Sequence, residues 1–201
     1  MQYRLLGKTG LMVSEVGFGG EWLERHEEKE SIELIRYAGT KGINIIDCWM
    51  ADPKSRTIIG EAIKDRRDQW YVQGHVGSTW QNDQYVRTRD LAKAEEAFRD
   101  LLTRIGAGRP ENEYIDLGMI HYVDAEDDWN ACFANGFIDY VKSLKEQGKI
   151  RHIGLSTHNP KIARLAADTD FVEMILFSIN PAFDMKPASE DLNTMFEEYG
   201  S

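Results

Sequence analysis

INIIDCWMADP, residues 43–53, is a short apolar-rich run that ends in a carboxylate, Asp47, with a second acid, Asp52, following. A carboxylate at the end of a buried strand is costly to desolvate without a partner, so Asp47 calls for one. Working outward, further strand signals lie at 14–19, 70–75, 114–121, 150–156 and 171–179, each a short apolar run. Helical patterns fall between them at 27–41, 54–65, 88–104, 136–147 and 160–168. Gly42 and Gly148 stop two of these helices, and Asn159-Pro160 opens another with proline at its first position. Strand–helix repetition of this kind implies a parallel sheet with right-handed crossovers. A doubly wound sheet wants a G-x-G-x-x-G turn after its first strand, and GFGG (17–20) fails it because Leu23 occupies the third glycine's place. A (β/α) barrel instead gathers reactive residues at the C-terminal ends of several strands. Here those ends carry Asp47, His75, His121 and Ser156, which favours the barrel.

A closed barrel needs eight strands in about 250 residues, whereas six strand signals are found in 201. The final stretch, ASEDLNTMFEEYGS (188–201), reads as a charged helix where another strand is due. The expectation is a single domain, 1–201, truncated at its C-terminus, with a homo-oligomer covering the open barrel edge. At 42% hydrophobic and 29% charged residues the composition is that of an ordinary soluble domain. A net charge of −10 excludes a nucleic-acid or anionic-membrane partner overall, because phosphates would be repelled. No 18-residue apolar stretch and no apolar leader are present, so the expected compartment is the cytoplasm. Cys48 and Cys132 fit no CxxC spacing and read as reduced thiols. The run RRDQW (66–70) reads as a solvated helix end, and tryptophans 49, 70, 80 and 129 as packing or lid contacts.

Asp47, His75 and His121 end three successive strands and should converge on one side of the sheet. A carboxylate beside an imidazole favours its protonated form, which makes Asp47 with His75 a candidate acid. His121 is placed to donate to a substrate carbonyl. Each histidine alone has a plainer reading, satisfaction of a neighbouring backbone carbonyl, but three polar strand ends together argue for a site. Asp47, Cys48, His75, His121 and His158 are also zinc-ligand types, yet no HxH or HExxH spacing supports them and no metal set is assigned.

Four motifs carry a family resemblance. YRLLGKTGLMVSEVGFGG (3–20) resembles the opening of aldo-keto reductases, and GINIIDCWMAD (42–52) their G-x-x-x-x-D-T-A-x-x-Y segment. YIDLGMIH (114–121) is similar to their Y-I-D-L-x-x-x-H strand, and GKIRHIGLSTHN (148–159) to their G-K-I-R-x-x-G-x-S-N segment. The resemblance covers essentially the whole chain. It implies an α/β fold of the (β/α)8 TIM-barrel type with a short N-terminal β-hairpin, incomplete here at about six of eight βα units. It implies an oxidoreductase that reduces an aldehyde or ketone with NADP(H), or alternatively NAD(H). The family's catalytic set is Asp, Tyr, Lys and His. Asp47 and His121 match the first and last, while the tyrosine position falls on Asp52 and the lysine position on His75. Cofactor contacts are implied for Gly19, Asp47, Ser156, Thr157 and Asn180; Thr157 replaces the usual asparagine, and Leu176 the glutamine of the sixth strand.

The QGHVGS (73–78) and DCWM (47–50) segments resemble a divergent branch that carries a C-terminal iron–sulfur domain. Nothing in this chain would hold such a cluster, so it is expected only with a C-terminal domain in a longer form. With Tyr and Lys both replaced, three mechanisms stay open for the proton: His75 held charged by Asp47, His121, or a buried protonated Asp52. An alternative of another class is a catalytically inactive barrel fragment acting as a binding or scaffold module. A weaker alternative is a metal-assisted hydrolase on the same strand ends.

Overall fold

The computed structural model describes residues 1–179. Asn180 and the charged stretch 188–201 therefore lie outside the described residues. The chain opens with an antiparallel hairpin of β1 (Tyr3–Leu5) and β2 (Met12–Ser14). Strand β3 (Phe18–Gly19), helix α1 (Glu28–Thr40), β4 (Ile45–Cys48), α2 (Pro53–Ile63) and β5 (Tyr71–Val76) follow. A second hairpin of β6 (Ser78–Gln81) and β7 (Gln84–Arg87) precedes α3 (Leu91–Gly106) and β8 (Ile115–Ile120). Helices α4 (Glu126–Ala134) and α5 (Phe137–Glu146), strand β9 (Ile150–Thr157), helix α6 (Pro160–Ala167) and strand β10 (Met174–Phe177) complete the described chain.

Six strands form one all-parallel sheet in the order β10-β9-β8-β5-β4-β3, which is sequence order without reversal. A doubly wound sheet reverses at a switch point; this one does not, and the architecture is the α/β barrel type, incomplete among the described residues. The strand alternation sorts side chains by parity. Ile46, Cys48, Val72, Val76, Ile120, Ile153 and Leu155 join the helices in the main core. Ile45, Leu117, Met119 and Met174 face the other way and form a smaller inner cluster with Leu6 and Leu11 from the first hairpin. That hairpin closes the floor of the inner space. The Asn44 amide donates to the Met12 carbonyl at 2.9 Å, and its oxygen accepts from the Ser14 N–H at 2.8 Å. At the hairpin's other end the Lys8 N–H reaches the Glu173 carbonyl at 3.3 Å, so it spans from β4 to the start of β10.

Strand and helix positions follow the sequence expectation closely, including Gly42 and Gly148 with φ of 87° and 70° just past α1 and α5. Two elements were not foreseen, α4 and the β6–β7 hairpin. The 66–70 run is also corrected. Arg67 is 3% exposed, and its guanidinium donates to the carbonyls of Trp70 and Tyr114 and to Asp116 Oδ2, each within 2.8 Å. Three acceptors offset the desolvation of one cation, which a count of charges along the sequence does not reveal. Trp70 and Trp129 are core residues, whereas Trp49 opens onto the cavity described next.

Candidate active site

Parity decides what faces the inner space. Asp47 pairs with Gln73, His75 with Met119, Met119 with Gly154, and Ser156 with Leu176. Partners across a parallel ladder point to the same side, so Asp47, His75, Ser156 and Leu176 join His121, two residues beyond Met119, at the C-terminal mouth. They line a cavity of about 600 Å³ together with Trp49 and Tyr85. A second cavity of about 550 Å³, bounded by Tyr3, Arg36 and Trp70, contains none of these groups.

Within the mouth, His75 Nε2 lies 3.1 Å from Asp47 Oδ1, and His75 Nδ1 lies 2.8 Å from His121 Nδ1. His121 Nε2 is in turn 2.5 Å from the Tyr85 hydroxyl. Both imidazoles are nearly dry, at 2% and 4% exposure, while the Asp47 side chain keeps 27%. Burial, followed by the proximity of His75, Arg89 and Arg87, holds the His121 imidazole well below the ordinary histidine range, so it is neutral at pH 7. Burial also raises the Tyr85 phenol above its usual value, with Arg87 and Arg89 opposing. Trp49 stacks over His121 at 6.1 Å and meets the Tyr85 ring edge-on at 5.2 Å.

Tyr85 reaches the mouth because Asn82 and Asp83, with φ of 51° and 57°, make a two-residue turn whose left-handed backbone matches strand twist. That turn sets Trp80 opposite Tyr85. Buried Arg56 ties the hairpin's base down, donating to the carbonyls of Ser78 and Ala97 and to Asp100. Ser78 donates to the Trp49 carbonyl at 2.6 Å. Tyr122, just after His121, holds φ of 50°, an uncommon value for a tyrosine. Its N–H donates to Ser156 Oγ at 2.8 Å, while Arg87 and Arg89 donate to its carbonyl.

Asp52 does not join this group. It caps α2, accepting from the Ser55 N–H at 2.7 Å, and lies outside the cavity. Gly19 ends β3 with open space where a Cβ would be, and its neighbour Gly20 must be glycine because a Cβ would meet the Asp47 carbonyl oxygen at 2.4 Å. Thr157 donates to Asp124 Oδ1 at 3.0 Å and accepts from the Asn159 N–H at 3.0 Å, which commits its hydroxyl. Ser156 only accepts among the described residues, so its own hydroxyl hydrogen is available to a ligand. An amide-bearing ring suits that hydroxyl and the Trp49–Leu176–Phe177 walls, so these residues fit the nicotinamide end of a dinucleotide. Glu21 also borders the cavity; burial and the neighbouring acids Glu24 and Asp47 raise its carboxyl. Cys48 is buried with its thiol pushed up to about 12, and among the described residues no group of three or more His, Cys, Asp or Glu side chains is arranged so that it could hold a metal ion. Among the same residues no helix is long and apolar enough to cross a membrane.

Tyr85 was the residue that sequence reasoning missed. An Asn-Asp pair flanked by alternating residues in STWQNDQYVR (78–87) is the signal that would have marked the hairpin.

Residues 15–200 match the model of the Aldo/keto reductase family. "Aldo-keto reductase YhdN" of Bacillus subtilis (strain 168) is 31% identical over 194 residues, covering 92% of this chain and 54% of the relative. The chain thus spans about half the length of that curated relative. Of solved structures, aldo-keto reductase AKR11C1 from Bacillus halodurans (holo form) superposes with a TM-score of 0.72 at 23% identity, over 100% of this chain and 64% of that one. An aldo/keto reductase from Klebsiella pneumoniae in complex with NADP and acetate does so at 0.67 and 16% identity, over 99% and 65%. At these identities the structures establish the fold.

Proposed function

Because this chain belongs to the aldo/keto reductase family, we propose that its strand-end cavity reduces an aldehyde or ketone with NADPH or NADH, using an altered catalytic set. The observation that carries the reading is the unbroken hydrogen-bonded series from Asp47 through His75 to His121 at the ends of three adjacent strands, opening on one cavity. A bound NAD(P)H supplies a hydride to the carbonyl carbon. All else falls to the chain. Ser156 would hold the carboxamide end of the nicotinamide, with Trp49, Leu176 and Phe177 excluding water around it. Negative charge then grows on the carbonyl oxygen and needs a proton donor within reach. By resemblance His75 stands in the lysine's place and Asp52 in the tyrosine's. Asp52 is engaged as a helix cap, so the donor is sought in the histidine series. A Klebsiella relative is described as an NADP complex, which supports the NADP form as the first cofactor to test.

The test is titration of NADPH and NADH against the folded chain, followed by cofactor fluorescence and tryptophan quenching. Saturable micromolar binding is expected, with the quench lost in Trp49→Phe. Absence of binding up to millimolar from a folded sample would overturn the reading in favour of a non-catalytic binding or scaffold module. That second reading draws on one feature: by the family resemblance, no lysine or tyrosine occupies the usual strand-end positions. We also propose self-association, since β3 and β10 each pair on one side only among the described residues. Light scattering should show mass rising with concentration, and a constant monomer mass would refute it.

A further inference from the structure

Counting protons along the series singles out one residue. Asp47 is a pure acceptor as a carboxylate, so His75 Nε2 carries a hydrogen toward it. A neutral His75 then accepts at Nδ1, which requires His121 to donate from its own Nδ1 across the 2.8 Å contact. Neutral His121 accepts at Nε2, and the Tyr85 hydroxyl donates there at 2.5 Å. Every donor points toward Asp47, and all four imidazole nitrogens are occupied. Neither histidine therefore has an N–H to offer a substrate. Tyr85 borders the cavity too, and its hydroxyl, whose one hydrogen is spent on His121 in this form, regains that hydrogen for the cavity once His121 donates to its oxygen instead.

We propose that Tyr85 is the proton donor to the substrate oxygen, recharged through His121 from a proton stored on the His75–Asp47 pair. The proposal rests on the carbonyl-reductase reading above and assigns its missing acid. In the charged form one extra proton reverses the series. His75 then carries hydrogens on both nitrogens, its Nδ1 donating to His121 Nδ1. His121 carries its hydrogen on Nε2 and donates to the Tyr85 oxygen, which frees the phenolic hydrogen for the cavity. Position along the series favours storage at the Asp47 end: Arg87, Arg89 and His158 oppose positive charge at His121, whereas the carboxylate of Asp47 touches His75. During reduction the hydride's electron pair forms the new C–H bond and the carbonyl π pair moves to oxygen. The Tyr85 O–H bond breaks as the alcohol O–H forms. Tyr85 recovers a proton from His121 Nε2, and His121 Nδ1 from His75 Nδ1. One hydride and one proton are consumed, leaving the alcohol, an oxidised nicotinamide and the neutral series.

The experiment compares wild type, Tyr85→Phe and His121→Asn by ¹⁵N spectroscopy of labelled histidines, NADPH binding and carbonyl turnover. Tyr85→Phe keeps the ring that packs on Trp49, so folding is not at stake. The expected result is a shift of the His121 Nε2 resonance toward a free pyridine-type nitrogen, NADPH affinity unchanged within about twofold, and kcat lower by about 10²–10⁴-fold. Combining Tyr85→Phe with His121→Asn in one chain should lose little more than either substitution alone, because both act on one relay. A histidine spectrum unchanged in Tyr85→Phe, or undiminished kcat, overturns the relay while leaving the reductase reading in place. A wild type that binds neither NADPH nor NADH overturns the reductase reading, and the proposed step with it, even where the spectrum shows the coupling.

Discussion

His121 is neutral inside the fold and a ready base outside it, and this difference links the site to stability. Inside the fold its imidazole is held well below the ordinary histidine range, chiefly by burial. Above about pH 6.5 neither state binds a proton there and the contribution is complete. Below it the unfolded chain takes a proton that the folded chain refuses, so stability falls as the pH drops, by at most about 1.4 kcal/mol per unit. Urea midpoints between about pH 7.5 and pH 5 should show this slope, and His121→Asn should flatten it. Asp52 offers the opposite case, a candidate acid whose contacts are those of a cap. Asp52→Ala should cost about 1 kcal/mol in urea unfolding with NADPH affinity retained. A large loss of affinity at unchanged stability would return Asp52 to the site. Both residues are candidates in the sequence, His121 as a polar strand end and Asp52 through the family resemblance, which puts it at the tyrosine position. Which nitrogen of His121 faces which neighbour was not visible, since that depends on ring orientation.

Elements place these residues through close backbone approach. A Cβ on Gly60 in α2 would lie 2.0 Å from the Arg104 carbonyl oxygen at the end of α3, so the two helices touch through that glycine. Gly60→Ala is expected to destabilise by about 3 kcal/mol, at the upper end of overpacking costs, read as a lowered thermal midpoint. Exposed Gly108, with no atom within 4 Å of its Cβ position but φ of 75°, gives a backbone-strain control without overpacking. The period-2 and 3.6-residue patterns mark most elements in the sequence itself. The β6–β7 hairpin escaped because its strands are short and half-exposed, so burial imposes little pattern on them. Its position depends instead on Arg56, far away in sequence on α2.

Across the whole molecule, Asp116 joins three parts of the sheet. Its carboxylate accepts from Arg67 at 2.8 Å, from the Val72 N–H at 3.0 Å and from Arg151 at 3.2 Å, at 1% exposure. Asp116→Ala would strand a buried guanidinium and should cost about 3–5 kcal/mol, measured by chemical denaturation. A second substitution, Arg67→Met, should recover part of that loss by removing the unpaired charge. The sequence by itself determined the parallel α/β architecture and the faces on which Asp47, His75 and Ser156 lie, because strand parity is a local property read residue by residue. It also identified the family. Only the tertiary structure decided that Asp52 caps a helix, that Arg67 is buried, and that Tyr85 meets His121 across 36 residues. Such meetings depend on how a hairpin folds over the strand ends, and no local periodicity encodes that contact.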